Sequence, residues 1–148
     1  MTTVVIDASV WIAAVDPGDP ERESAERCLM TIAGTLAQVV VPATARVEVA
    51  CALRRRFGDP RWAQEMVSVL FGAPFIREST LDPTLVQEAI MLGTDASLRG
   101  MDALYVAVAV REAAVLVTLD RELLERGSGV TPKAWSDCWM AEHPRYLS

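Results

Sequence analysis

Short, continuously apolar runs rich in branched residues punctuate this chain: Val4-Val5-Ile6, Val39-Val40-Val41 and Val115-Leu116-Val117. Runs of this length and branching, bounded by turn residues, read as buried strands rather than helices. Phe75-Ile76-Arg77-Glu78 is a further candidate, short and suited to a sheet edge. Between the runs lie helical stretches with their own start signals. Asp19-Pro20-Glu21, Asp59-Pro60 and Asp82-Pro83 each read as an N-cap followed by proline at the first helical position. They predict helices reaching about Gly34, Gly72 and Leu98, alongside helices over 10–15, 43–57, 101–114 and 120–126. Strands alternating with helices imply a mostly parallel sheet covered on both faces. The expected architecture is a three-layer α/β/α fold with four to five strands, the fifth at Val130-Thr131. It forms a single domain over 1–148, with a core over about 3–131 and a tail over 132–148.

Bulk properties narrow the class. A chain of 148 residues that is 51% hydrophobic can bury one real core. No apolar run approaches the roughly 18 residues of a membrane span. No basic segment precedes a long apolar core at the N-terminus, so a secretory signal is not expected and a cytoplasmic location is. Cys28, Cys51 and Cys138 are scattered, with no C-x-x-C pair, as expected of reduced thiols. The net charge of −6 argues against nucleic-acid binding by the molecule as a whole. Local features oppose that: Lys133 is the only lysine, and Arg54-Arg55-Arg56 concentrates the cation suited to bidentate phosphate contacts.

Four acids need an explanation beyond capping. Asp7 ends the first strand, and Asp120 follows the fourth. The carboxyl ends of parallel strands are where ligands sit, and neighbouring strands lie about 4.8 Å apart. Glu48 interrupts an otherwise nearly apolar helix, and Asp102 opens the most apolar helix of the chain. Simpler roles exist for each: a cap for Asp7 or Asp120, a salt bridge to Arg46 or Arg55 for Glu48, a favourable helix-dipole position for Asp102. If all four share a pocket, two charges about 5 Å apart repel by roughly 3 kcal/mol at an effective dielectric near 20. The sum over all pairs approaches the stability of a domain. A divalent cation resolves that conflict, and an all-oxygen site suits Mg²⁺ or Mn²⁺. Such an ion can activate water for attack on a phosphodiester. The only histidine, His143, lies in the tail and is expected at the surface.

These residues resemble a known family. Val4 to Ala13, Glu48 in its apolar helix, Met101 to Ala109 and Val117 to Leu123 are similar in order and context to the PIN domain, and most of all to the VapC toxins of prokaryotic toxin–antitoxin pairs. The resemblance implies a Mg²⁺- or Mn²⁺-dependent endoribonuclease with Asp7, Glu48, Asp102 and Asp120 as catalytic and metal-binding positions. Ser9 and Thr118 match the polar positions beside them. It also implies a homodimer and a VapB-like antitoxin that blocks the site. Arg54, Arg55, Arg56 and Arg99 are the candidates for RNA phosphate contacts.

Other readings compete. A haloacid-dehalogenase-like phosphatase also places a nucleophilic Asp after its first strand, but needs a second Asp two residues later, where this chain has Ser9. A receiver domain needs an acid pair near the first strand and a lysine late in the sheet. A non-catalytic RNA- or protein-binding module with an inert cation site is the third alternative. Trp135, Trp139 and Tyr146 are expected to pack the tail onto the core.

Overall fold

A computed structural model describes residues 2–134. Strands β1 (Thr3–Ile6), β2 (Gln38–Pro42), β3 (Ile76–Ser79) and β4 (Val115–Val117) form one parallel sheet in the order β3-β2-β1-β4. Val4, Val5 and Ile6 on β1 and Val39, Val40 and Val41 on β2 have no exposed surface. Central strands covered on both faces need no polar alternation, which is why these runs are continuously apolar. β3 is an edge strand, as expected of the short segment, and it carries Arg77 and Glu78. Both face solvent and pair with charges elsewhere, Arg77 with Glu112 and Glu78 with Arg46. Charged edges discourage pairing with a further strand.

Helices fill the connections: α1 (Ala8–Val15) and α2 (Arg22–Ala33) between β1 and β2, then α3 (Ala45–Phe57) and α4 (Pro60–Phe71) before β3. After β3 come α5 (Pro83–Asp95) and α6 (Gly100–Arg111), and α7 (Arg121–Arg126) follows β4. The chain therefore steps outward from β1 to β2 to β3, then crosses back to β4 on the other side of β1. This reversal makes the carboxyl ends of β1 and β4 a topological switch point, the crevice where open α/β sheets bind ligands. None of the helices among the described residues is long and apolar enough to cross a membrane.

Two packing details fix that crevice. The buried Trp11 of α1 donates its indole N–H to the Ile6 carbonyl at 3.1 Å and stacks obliquely on Phe71, with ring centroids 4.8 Å apart. α1 is thereby held against the end of β1. On the other side, α5 and α6 approach closely because Gly93 faces Ala103; a Cβ on Gly93 would lie 2.7 Å from the Ala103 Cβ. The helix expected over 101–114 ends at Arg111; its middle is buried, with Tyr105, Ala107 and Val108 fully enclosed, while Met101 and Val110 are exposed.

Most helix starts match their sequence signals. Asp59 accepts from the Trp62 N–H at 3.1 Å and Asp82 from the Leu85 N–H at 2.8 Å. Asp19 does not cap α2, which begins at Arg22. Its carboxylate instead accepts from the Glu21 N–H at 2.8 Å in a local turn, and Arg56 draws Asp16 and Asp19 together from α3. That tertiary ion pair and the Asp side chain's preference for its own near backbone override the Asp-Pro signal. The fifth strand shrinks to one parallel bridge, Val117 to Val130. Two residues between Gly129 and Pro132 cannot extend a ladder, since proline has no N–H to donate. The bridge still covers the outer edge of β4, through Val130 N–H to Leu116 O at 2.9 Å and Thr118 N–H to Val130 O at 2.9 Å. The expectations for Trp135, Trp139, Tyr146, Cys138 and His143 lie outside the described residues.

Gly93→Val forces overlap with Ala103 and is expected to cost about 1–3 kcal/mol, seen as a fall in Tm of about 2–4 °C per kcal/mol at this size. Gly100→Ala, where a Cβ meets open space, is the control. It should leave Tm unchanged or raise it slightly.

Candidate active site and metal centre

Asp7 is the residue at which β1 becomes α1. Its backbone N–H still pairs with the Val117 carbonyl at 3.0 Å, while its side chain caps α1 by accepting from the Ser9 N–H at 3.3 Å. Two hydroxyls converge on the same carboxylate oxygen, Oδ2: Ser9 Oγ at 2.6 Å and Thr118 Oγ1 at 2.9 Å. Each hydroxyl also accepts a backbone N–H from the β4 loop, Ser9 Oγ from Leu119 at 3.0 Å and Thr118 Oγ1 from Asp120 at 3.0 Å. The ends of two strands are thus stitched together through hydroxyls, and Ser9 and Thr118 both hold the Asp7 carboxylate. Thr118 is fully buried and works through Asp7.

The other acids arrive on helices. Glu48 lies in the first turn of α3 and accepts the Tyr105 hydroxyl at 2.9 Å. Neither Arg46 nor Arg55 is its hydrogen-bond partner; Arg46 pairs with Glu78. Asp102 is in the first turn of α6 and 8% exposed. Asp120 caps α7, its Oδ1 accepting from Glu122 N–H at 2.8 Å and Leu123 N–H at 3.3 Å. Its Oδ2 takes the Arg99 Nη2 at 2.8 Å. Capping and site membership are therefore compatible in Asp120, because the two oxygens divide the tasks.

All four acids, with Ser9 and Arg99, line one open cavity of about 630 Å³. Arg55 and Arg56 reach the same cavity, although Arg56 is committed to Asp16 at 2.7 Å. Arg54 does not line it. It lies with Cys51 and Pro60 on a neighbouring groove between α3 and α4. Tyr105 was not singled out from sequence. A signal existed: it stands three residues after Asp102, hence on the same helix face, and it carries the one oxygen in an apolar stretch that needs a partner once buried.

Electrostatics follow from burial. Desolvation raises the Asp7 pKa above its ordinary 3.8, against the lowering effect of the Ser9 and Thr118 hydrogen bonds. Desolvation likewise raises Glu48, opposed by the Tyr105 hydrogen bond and reinforced by the charges of Asp7 and Asp102. Asp102 is raised first by desolvation and then by Asp7, with Arg99 pulling the other way. Glu48 and Asp102 thus feel other acids of the cavity. Among the described residues, no three acidic side chains stand close enough as they lie to grip one ion directly. The donor set nonetheless fits a hard divalent cation. Every donor is oxygen, the cavity is open, and Mg²⁺ characteristically keeps several waters while taking only one or two carboxylates directly.

A parallel α/β domain with an acidic cleft at its switch point defines a class, and comparison supplies the family. The PIN domain model matches residues 4–128, so the chain belongs to the PIN domain family. Its fold is similar to that of VapC20 from Mycobacterium tuberculosis, a sarcin–ricin loop cleaving toxin, with TM-score 0.70, 19% identity and coverage of 82% of this chain and 93% of that one. A protein from Pyrobaculum aerophilum gives TM-score 0.70 at 20% identity, covering 95% of this chain and 96% of the other. A toxin–antitoxin complex from Klebsiella pneumoniae gives TM-score 0.64 at 16% identity, covering 87% and 97%. No curated protein matches the sequence.

The raised acids set the sign of a pH effect. Between the ordinary carboxyl value and the raised one, the native state holds protons that the unfolded chain has released, so stability falls as pH rises. Asp7→Asn removes one such group. In chelator, its stability relative to wild type, measured by urea unfolding, should increase as pH rises from about 4 and then level off once the native carboxyl has ionised. A relative stability that falls over this range would contradict the desolvation of Asp7.

Proposed function

We propose that this protein is a metal-dependent endoribonuclease, the VapC-type toxin of a toxin–antitoxin pair. One observation carries the reading: Asp7, Glu48, Asp102 and Asp120, from four distant segments, line a single cavity at the switch point of the sheet. The fold neighbours include a sarcin–ricin loop cleaving toxin and a toxin–antitoxin complex, which supports the same reading.

Asp7, Glu48 and Asp102 would hold Mg²⁺ or Mn²⁺, with Asp120 assisting through its Oδ2. When bound, such an ion supplies Lewis acidity that polarises a phosphoryl oxygen and lowers the pKa of water. The protein's own part is positioning. Ser9 and Thr118 fix Asp7 in one rotamer, and Tyr105 fixes Glu48. Arg55 and Arg99, at the cavity wall, offer planar forks to the RNA phosphates flanking the scissile bond. Cationic contacts confined to one rim reconcile RNA binding with a net charge of −6.

The partners proposed are an RNA substrate, a VapB-like antitoxin that blocks the cavity, and a second copy of the chain. Exposed Val86, Ile90 and Met91 on α5 are consistent with a homodimer face. The proposed location is the cytoplasm. A non-catalytic module with an inert cation site would not need an open cavity of about 630 Å³ beside the acids, so catalysis is preferred.

The purified protein should cleave single-stranded RNA with Mg²⁺ or Mn²⁺ and lose cleavage in chelator. Asp7→Asn should retain the wild-type circular dichroism spectrum and lose about 100-fold or more in rate, the scale of removing one electrostatic element of an active site. Cleavage that persists in chelator and in Asp7→Asn would overturn the reading.

A further inference from the structure

Arg99 stands where local rules disfavour it. It occupies the N-cap of α6, a position that favours short side chains with an acceptor oxygen. The positive end of the helix dipole there repels a cation. Its side chain makes no capping bond. Although 67% exposed, it turns back onto acids: Nε lies 3.2 Å from Asp102 Oδ2 and 3.2 Å from Glu122 Oε2, and Nη2 lies 2.8 Å from Asp120 Oδ2. One edge of the guanidinium therefore faces carboxylates from α6 and α7. Two of these acids belong to the proposed metal set. Asp120 has no second oxygen to spare, because Oδ1 holds the α7 backbone. A position that breaks local propensity invites a functional explanation.

We propose that Arg99 is a tethered placeholder cation: it neutralises Asp102 and Asp120 in the metal-free protein, and a divalent ion displaces it from those oxygens, releasing its guanidinium to an RNA phosphate. This rests on the metal-dependent nuclease reading and adds an order to it, ion first and phosphate second. A guanidinium and a divalent ion at the same oxygens would sit within a few ångströms and repel each other. Displacement has room to occur. The side chain is mostly exposed, and beside it Gly100 leaves open space where a Cβ would be. The planar fork that spans the carboxylate oxygens suits a phosphate equally well.

The test is a calorimetric titration of Mn²⁺ into the full-length, RNA-free protein, as wild type, Arg99→Met and Arg99→Lys. Losing the competitor should tighten Mn²⁺ binding about five- to tenfold in Arg99→Met, the lower range of site–site couplings. Arg99→Lys keeps a charge and should fall between. In chelator Arg99→Met should melt below wild type, and on adding saturating Mn²⁺ its Tm should rise more. Equal or weaker Mn²⁺ binding by Arg99→Met, with wild type binding normally, overturns the placeholder and leaves the nuclease reading standing. Failure of wild type and both variants to bind Mn²⁺ overturns both.

Discussion

Desolvation of carboxylates held together in a half-dry cleft, reinforced by their repulsion at Glu48 and Asp102, is the constraint on which the rest of this structure turns. Asp7 and Asp102 are each less than a tenth exposed, and Glu48 feels both of their charges. Burying like charges together is among the costliest arrangements available to a fold. The sheet accepts it at the one place where its topology opens a crevice, and it spends neighbouring polar groups on controlling the geometry. Ser9 and Thr118 lock Asp7, Tyr105 locks Glu48, the α7 backbone locks Asp120, and Arg99 leans over Asp102. Pre-positioned acids with fixed rotamers are what a cation site requires, since each ligand's freedom is lost on folding rather than on binding.

The hydroxyl lock also ties function to fold. Thr118 belongs to the segment leaving β4 and Ser9 to the first turn of α1, yet both meet at one oxygen of Asp7. The β1–β4 pairing and the placement of Asp120 thus depend on the same small network. The Trp11 indole, bonded to the Ile6 carbonyl, anchors α1 from behind. The fold itself tolerates wide change of sequence, as the 16–20% identities to similar folds illustrate.

Much of this was legible before any coordinates. Continuous Val/Ile runs announced central strands, Asp59-Pro60 and Asp82-Pro83 announced helix starts, and a lone Glu in an apolar helix announced Glu48. What escaped depended on tertiary partners. Asp19 left its expected cap because Arg56, 37 positions later, engages it. Val130 made a single bridge because Pro132 ends the donors. Tyr105 looked apolar in a run of apolar neighbours, and only the fold shows its hydroxyl reaching Glu48. Arg54, adjacent in sequence to Arg55 and Arg56, projects to a different groove because successive helix residues point about 100° apart.

The most direct test of cation-mediated coexistence is anomalous diffraction from crystals soaked in Mn²⁺. One peak inside the cleft, with carboxylate oxygens of Asp7 and at least one of Glu48 and Asp102 at roughly 2.2 Å or bridged by a single water, is the expected result. A cleft without a peak at saturating Mn²⁺, or an ion bound only elsewhere on the surface, would contradict it.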